Sequence, residues 1–305
     1  MTTTLTDADV RAGLTAANSV ATMREAVLAA HRGELVAPPR LVTDLGEGLL
    51  LFTVGRWHGR WLGYRSYDTF DRDHSDARDD QLVVVHDDVT GRLLGIVVGA
   101  ELGRRRTGAL GGVAADALAP RAASALGLVG TGRQAWTQLW AVSAVRQLDT
   151  VRVYSRDDRR RREFAQQATE ELGLAATAAP SAQAAVEDAD IVILATNSSE
   201  PVIHTDWLAA GCHVTTLGPK QQGRSEFAED LLESATALVT DSPTQLDAYD
   251  PPAIASADRH AGRVVSLGAV LAGDAPGRTG DSDRTIYLSV GLAGTEVALA
   301  ATLLT

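Results

Sequence analysis

Cysteine is nearly missing from this sequence: Cys212 stands alone among 305 residues. One thiol excludes an intrachain disulfide framework and a cysteine-rich zinc site, so no metal is expected and a reducing cytoplasm is the expected compartment. Positive charge is also scarce, with 28 Lys and Arg against 39 Asp and Glu and a net charge of −11. Phosphate binding needs a net or clustered basic surface, so nucleic acid is excluded as the main partner. No apolar run approaches the roughly 20 residues that span a bilayer, and no membrane association is expected. Residues 1–9 are polar and threonine-rich, without the apolar core of a secretory signal. No repeat of fixed period occurs, and the only compositional bias is in alanine-rich helices. What is present is 45% hydrophobic residues, ordinary for a packed globular protein, on a chain long enough for two domains.

The chain changes texture after Ala122. Before it, residues 7–32 carry apolar positions at helical spacing, and Pro38-Pro39 closes that region. Residues 48–70 and 81–98 are rich in β-branched and aromatic residues broken by turn signals, which predicts a strand meander around a charged loop at 71–80. A helix is expected over 107–118. After it, short runs that are apolar at nearly every position (125–129, 151–154, 191–195, 214–217, 237–240) alternate with helical stretches (135–147, 159–172). Strands of that kind belong to a parallel sheet covered by helices on both faces. The expected fold is therefore α/β, a Rossmann-type doubly wound domain over 119–274. An α+β domain over 1–118 is expected to be completed by 275–305, a strand-like stretch followed by an alanine-rich helix.

Gly130, Gly132 and Ala135 form a G-x-G-x-x-A pattern at the end of one apolar strand and the start of a helix. In that context the first glycine serves the tight turn, the second lets a pyrophosphate approach, and the alanine lets the helix pack on the sheet. Free N–H groups at the helix start then face the phosphates. The next strand ends Tyr154-Ser155-Arg156, where an NAD site usually carries an acid for the ribose hydroxyl. A hydroxyl and a guanidinium suit a 2′-phosphate instead, so NADP(H) is favoured over NAD(H). Asp157 and Asp158 keep NAD open, and the run from Arg159 to Arg162 reads either as phosphate support or as a solvated helix face.

Around that turn the order of motifs resembles the ornithine cyclodeaminase and mu-crystallin family. The likeness runs from Val-Gly-Thr-Gly-Arg-Gln-Ala at 129–135 through Tyr-Ser-Arg at 154–156, Ala-Asp-Ile-Val at 189–192 and Ala-Thr-Asn-Ser at 195–198. It continues to Trp207-Leu208, Gly-Cys-His-Val at 211–214 and Leu217-Gly218. Pro38-Pro39-Arg40, Gly63-Tyr64-Arg65 and Arg106-Thr107-Gly108-Ala109 are similar to its N-terminal landmarks, and Ser-Val-Gly-Leu-Ala at 289–293 to its C-terminal one. The resemblance implies a substrate-binding and dimerisation domain joined to a Rossmann domain, in a homodimer. It implies that Arg40, Arg65 and Arg106 line the substrate pocket and hold a carboxylate. It further implies that Thr107, Thr131, Arg133, Gln134, Ser155, Arg156, Thr196 and Leu217, with the glycine turn, approach the dinucleotide.

Two departures from the family pattern redirect the chemistry. Lys220 stands where the cyclodeaminases carry an Asp for proton transfer, and Arg65 replaces the family's pocket Lys. A guanidinium does not deprotonate in a protein and cannot act as a reversible proton carrier. Reduction of a preformed imine asks less of the protein, because the cofactor supplies hydride. The expected activity is thus NADPH-dependent reduction of a C=N bond beside a carboxylate, with Lys220 as proton donor and Arg65 and Lys220 as the catalytic pair. Imine, keto-acid or amino-acid substrates are the expected small-molecule partners. An L-amino-acid dehydrogenase or cyclodeaminase, and a non-catalytic NADPH-binding protein of the crystallin type, remain open alternatives. His204 and His213 read as structural, and Trp57, Trp61, Tyr64 and Tyr67 as core or sheet-face aromatics.

Overall fold

The computed structural model describes residues 2–70 and 81–304, so the charged stretch expected at 71–80 lies outside the described residues. The chain divides into two compact units, Met1–Arg106 with Gly291–Thr305, and Thr107–Val290. The expected division fell at residues 118 and 274.

The first unit is built on a seven-stranded sheet whose spatial order is Thr3–Leu5, Leu93–Val98, Leu82–Asp87, Trp61–Asp68, Leu49–Trp57, Leu35–Val36, with Leu41–Asp44 also paired to Leu49–Trp57. Among the described residues only the Thr3–Leu5 pairing is parallel; the other pairings form the antiparallel meander that the β-branched runs predict. One face is covered by the helices Ala16–His31 and Thr295–Leu304. Gly55 and Gly63 sit opposite each other on that face. A Cβ at Gly55 would stand 2.4 Å from the Gly294 Cα, and one at Gly63 would stand 2.9 Å from Val297 Cγ1. The paired glycines are what let the last helix lie down on the sheet.

The helix expected over 107–118 starts earlier, at Glu101, and takes Arg104, Arg105 and Arg106 into its first turns. Its start was hidden because its cap is not local: Asp7 Oδ1 accepts the Glu101 N–H at 2.9 Å.

The second unit is an eight-stranded, wholly parallel sheet. Its order is Ala176–Ala178, Thr150–Tyr154, Ala125–Val129, Ile191–Leu194, His213–Thr216, Thr285–Leu288, Ala237–Thr240, Val264–Ser266. Strands added on one side of Ala125–Val129 and then on the other create a switch point between it and Ile191–Leu194, where ligands of such sheets bind at the carboxyl ends. The strand Thr285–Leu288, expected with the first domain, lies inside this sheet. All four of its residues are buried, as a strand covered on both faces requires. The two short strands Ala176–Ala178 and Val264–Ser266 left no sequence signal, being three residues each at the sheet margins.

His213 lies buried in this sheet, its ring nitrogens 2.9 Å from Thr285 Oγ1 and 3.1 Å from Thr215 Oγ1. Burial foremost, then the charges of Arg278 and Arg146, holds its pKa down at about 3 against an ordinary 6.5. The fold thus binds the neutral ring, and that stabilisation is complete above pH 6.5 and lost as pH falls toward 3. His213→Gln should flatten the loss: relative to the variant, the native chain should lose about 2 to 3 kcal/mol between pH 6.5 and about 4.5, at 1.36 kcal/mol per pH unit. Urea unfolding at a series of pH values measures this, and parallel stability curves for the two proteins would refute it.

Candidate active site

In the second unit, the strand Ala125–Val129 runs into a turn and the helix Arg133–Val142. Gly130 has φ 115°, donates its N–H to the Tyr154 carbonyl at 2.8 Å, and would bring a Cβ to 2.2 Å from the Ala195 carbonyl oxygen. No other residue type fits there. Gly132 is the N-cap of the helix and no side chain caps it. A Cβ on Gly132 would meet nothing within 4 Å, so the first-turn N–H groups open onto free space. That uncapped opening fits a diphosphate, which would take up the N–H donors that a capping side chain otherwise satisfies. Ala135 is fully buried against the core on the Leu128 and Leu139 side, as close helix packing demands. Thr131 is half-buried, and Arg133 and Gln134 are exposed. Thr107 is half-buried in the preceding helix, its carbonyl accepting from Gln138 Nε2 at 2.9 Å.

At the end of the neighbouring strand, Ser155 Oγ donates to the Asp157 carbonyl at 3.0 Å, and Arg161 Nη1 donates to the Ser155 carbonyl at 3.0 Å. The arginine run resolves into local pairs: Arg159 with Glu163, Arg160 with Asp157, and Arg161 and Arg162 with Asp158. Arg156 and Arg133 are exposed and, among the described residues, are engaged by no acid. Asp157 serves as N-cap of the helix Asp158–Leu172, accepting from the Arg160 N–H at 3.1 Å.

Thr196 and Leu217 follow the strands Ile191–Leu194 and His213–Thr216, and a carboxylate the sequence did not reveal ties them together. Glu226 is fully buried. Its Oε2 accepts from the Thr196 N–H at 3.0 Å and the Thr196 hydroxyl at 2.8 Å; its Oε1 accepts from the N–H groups of Leu217 at 3.1 Å and Gly218 at 2.6 Å. Burial pushes the Glu226 carboxyl up, opposed by the charge of Lys220 and by the donors from Thr196 and Gly218. Lys220, the only lysine in the sequence, is 3% exposed and donates to the carbonyls of Gly218 at 2.6 Å and Leu217 at 3.4 Å.

In the first unit the three expected arginines converge. Arg65 Nη1 donates to Glu296 Oε1 at 2.8 Å, and Arg106 Nη2 donates to the same oxygen. Arg65 also donates to Gln81 Oε1 at 3.0 Å from Nε and lies 4.2 Å over the Tyr67 ring. A Cβ at Gly291 would stand 3.2 Å from Arg106 Nη1 and 3.9 Å from Arg40 Nη2, so both guanidinium groups border the space that this glycine leaves. Glu296 is 1% exposed. Burial alone would raise its pKa, but the charges of Arg106 and Arg65 outweigh it and hold it at about 2. It is ionised throughout the physiological range. Two guanidiniums thus meet on one carboxylate with a third close by, and planar guanidinium donors in this number suit a carboxylate ligand. Glu296 also escaped the sequence reading, although a lone acid inside the apolar run Thr295–Leu304 is the signal that would have found it.

A model of the ornithine cyclodeaminase/mu-crystallin family matches residues 3–304. The chain belongs to this family. Within the family it is similar to a delta(1)-pyrroline-2-carboxylate reductase of Bacillus cereus, 33% identical over 232 residues that cover 72% of this chain and 68% of the relative. Its fold matches the structure of Thermococcus litoralis delta(1)-pyrroline-2-carboxylate reductase in complex with NADH and L-proline, with a TM-score of 0.89, 24% identity and coverage of 99% of this chain and 96% of the other. An archaeal alanine dehydrogenase dimer with bound NAD gives a TM-score of 0.89 at 25% identity, covering 99% and 95%. Among the described residues, no helix of this family member is long and apolar enough to cross a membrane, and no three His, Cys, Asp or Glu side chains converge as a metal site.

Because the space above Gly132 is open in the free protein, Gly132→Val should leave the fold intact and close the diphosphate cradle. Thermal shift with NADPH and with NADH should vanish in the variant while its circular dichroism stays native. A shift as large as in the native chain would place nucleotide binding elsewhere.

Proposed function

We propose that this NAD(P)-dependent oxidoreductase reduces a C=N bond adjacent to a carboxylate, in a cyclic ketimine or the imine of an α-keto acid, with NADPH preferred. The observation that carries the reading is the convergence of Arg65 and Arg106 on Glu296 with Arg40 close by, a set of guanidinium donors suited to a small carboxylate, in a chain that also carries a dinucleotide turn. Reduced nicotinamide, when bound, would supply the hydride that the carbon of the protonated imine accepts, the nitrogen keeping the proton it carries. The residues of the first unit bind and orient: Arg40 and Arg106 take the carboxylate, and Arg65 holds Glu296 in register beneath them. Arg65 cannot shuttle a proton, and Lys220 stands where a cyclodeaminase would need a base, so both departures disfavour deamination and leave reduction feasible.

The test is NADPH oxidation with a panel of cyclic imines and of keto acids mixed with amines, alongside NADP-dependent oxidation of proline and alanine. Turnover of one imine class is expected; binding of both ligands without oxidation of any would instead favour the non-catalytic alternative. With the active substrate, Arg40→Ala should raise KM about 10- to 100-fold and change kcat little, since it removes a charge-assisted bond made before and during hydride transfer. An unchanged KM would remove Arg40 from the site.

NADPH preference rests on Ser155 and on the unengaged Arg156 at the end of the second strand. NADPH should bind more tightly than NADH by about 1 to 3 kcal/mol, and Arg156→Ala should erase most of that difference. Equal dissociation constants for the two nucleotides in the native protein would refute the preference.

The assembly we propose is a homodimer formed through the sheet face turned away from the helices. Leu50, Phe52, Val54, Leu62, Tyr64 and Leu82 alternate onto that face, with Tyr64 37% and Leu82 40% exposed. So much apolar sheet surface is what a subunit contact covers. Sedimentation should give a dimer for the native protein and a monomer for Tyr64→Glu, and a native monomer would overturn the assignment.

A further inference from the structure

Two loops leave the carboxyl ends of the strands Ile191–Leu194 and His213–Thr216, beside the switch point of the parallel sheet. Backbone groups in such loops ordinarily turn to solvent or to a ligand. Here they turn inward. Glu226 takes four donors, two from Thr196 in the first loop and two from Leu217 and Gly218 in the second, so both carboxylate oxygens are filled. Lys220 takes the carbonyls of the same two residues, Leu217 and Gly218. The Leu217-Gly218 segment is thereby gripped by its N–H groups from one side chain and by its C=O groups from another. The Thr196 hydroxyl donates to Glu226 and accepts from the Ser198 N–H at 3.2 Å, which fixes its direction as well.

The geometry points to Lys220 and Glu226 as positioning residues for the dinucleotide site, an oppositely charged clip that sets the two loops at the switch point before any nucleotide arrives. The inference rests on reading that switch point as the place where the dinucleotide binds. It gives Lys220 a task different from the proton donation expected of it from the sequence. Its ammonium hydrogens are already committed to the carbonyls of Leu217 and Gly218 rather than held toward a substrate. It also explains why a fully buried acid and a nearly fully buried lysine are kept so close to a ligand site. The charge of Lys220 acts on Glu226 against the cost of its burial, and each side chain satisfies main-chain groups of the loops.

The experiment is NADPH titration, followed by nucleotide fluorescence, of the native protein, Glu226→Gln and Lys220→Met. Glutamine has the shape of glutamate but presents an NH2 to two of the four donors, so it opens half of the clip. Both variants should bind NADPH roughly 10- to 100-fold more weakly. Unchanged dissociation constants in the two variants would overturn the clip. A 10²-fold fall in kcat for Lys220→Met with unaltered NADPH affinity would do so too, and would return Lys220 to the role of proton donor. A native protein that bound neither NADPH nor NADH would overturn the dinucleotide reading together with the clip, which separates the two failures. Should either variant fail to fold, the native protein still decides the matter, because its only lysine gives a single side-chain ammonium signal after 15N-lysine labelling. That signal should be protected from solvent exchange at neutral pH, and exchange as fast as in free lysine would refute the clip.

Discussion

The first unit depends on one carboxylate staying ionised where water does not reach it. Glu296 receives both Arg65 and Arg106 on a single oxygen, and without its charge two nearly buried guanidinium groups would lose the acid on which they meet. A buried ion pair of this kind adds little to stability compared with an apolar substitute of the same shape, and removing one member is severe. Its persistence therefore makes more sense as geometry than as glue. It fixes the direction of two cations that would otherwise be long, flexible side chains, and an arginine that is already held loses less freedom when a ligand arrives. Arg40 and Arg106 both border the gap at Gly291.

The second unit solves a related problem with the opposite emphasis. Glu226 also lies fully buried, but most of its partners are backbone amides, and what it orders is the path of two loops. Each unit thus buries one acid beside the groups assigned to ligand binding. In both cases the acid orients something else, a pair of cations in one unit and a stretch of main chain in the other.

Much of this architecture could be read in the sequence, and the limits of that reading have a common cause. The glycine turn was legible because everything that shapes it is local: the strand before it, the helix after it, and the small residue three positions on. The antiparallel meander and most of the parallel strands were legible for the same reason, through alternation or continuous apolarity. What stayed hidden was set by distant residues. Glu296 acquires its meaning from an arginine 231 positions away and another 190 away, and the start of the helix Glu101–Leu118 is capped from 94 positions upstream. The place of Thr285–Leu288 inside the parallel sheet likewise follows from pairing with strands far back in the chain. The family resemblance supplied the three arginines proposed for the site, which periodicity alone would have left as surface residues. It did not supply either acid.

The burial of Lys220 has a consequence for the surface chemistry of the whole molecule. No other residue of the sequence carries a side-chain amine, and this one is 3% exposed. Aldehydes and keto acids condense with exposed amines to form imines, so a protein surface studded with lysines competes for carbonyl compounds and accumulates adducts. With that lysine buried, the permanently charged basic side chains at the surface are guanidinium groups, which stay protonated and form no simple imines near neutral pH. Reagents that acylate amines or condense with them would accordingly find no exposed lysine on this surface.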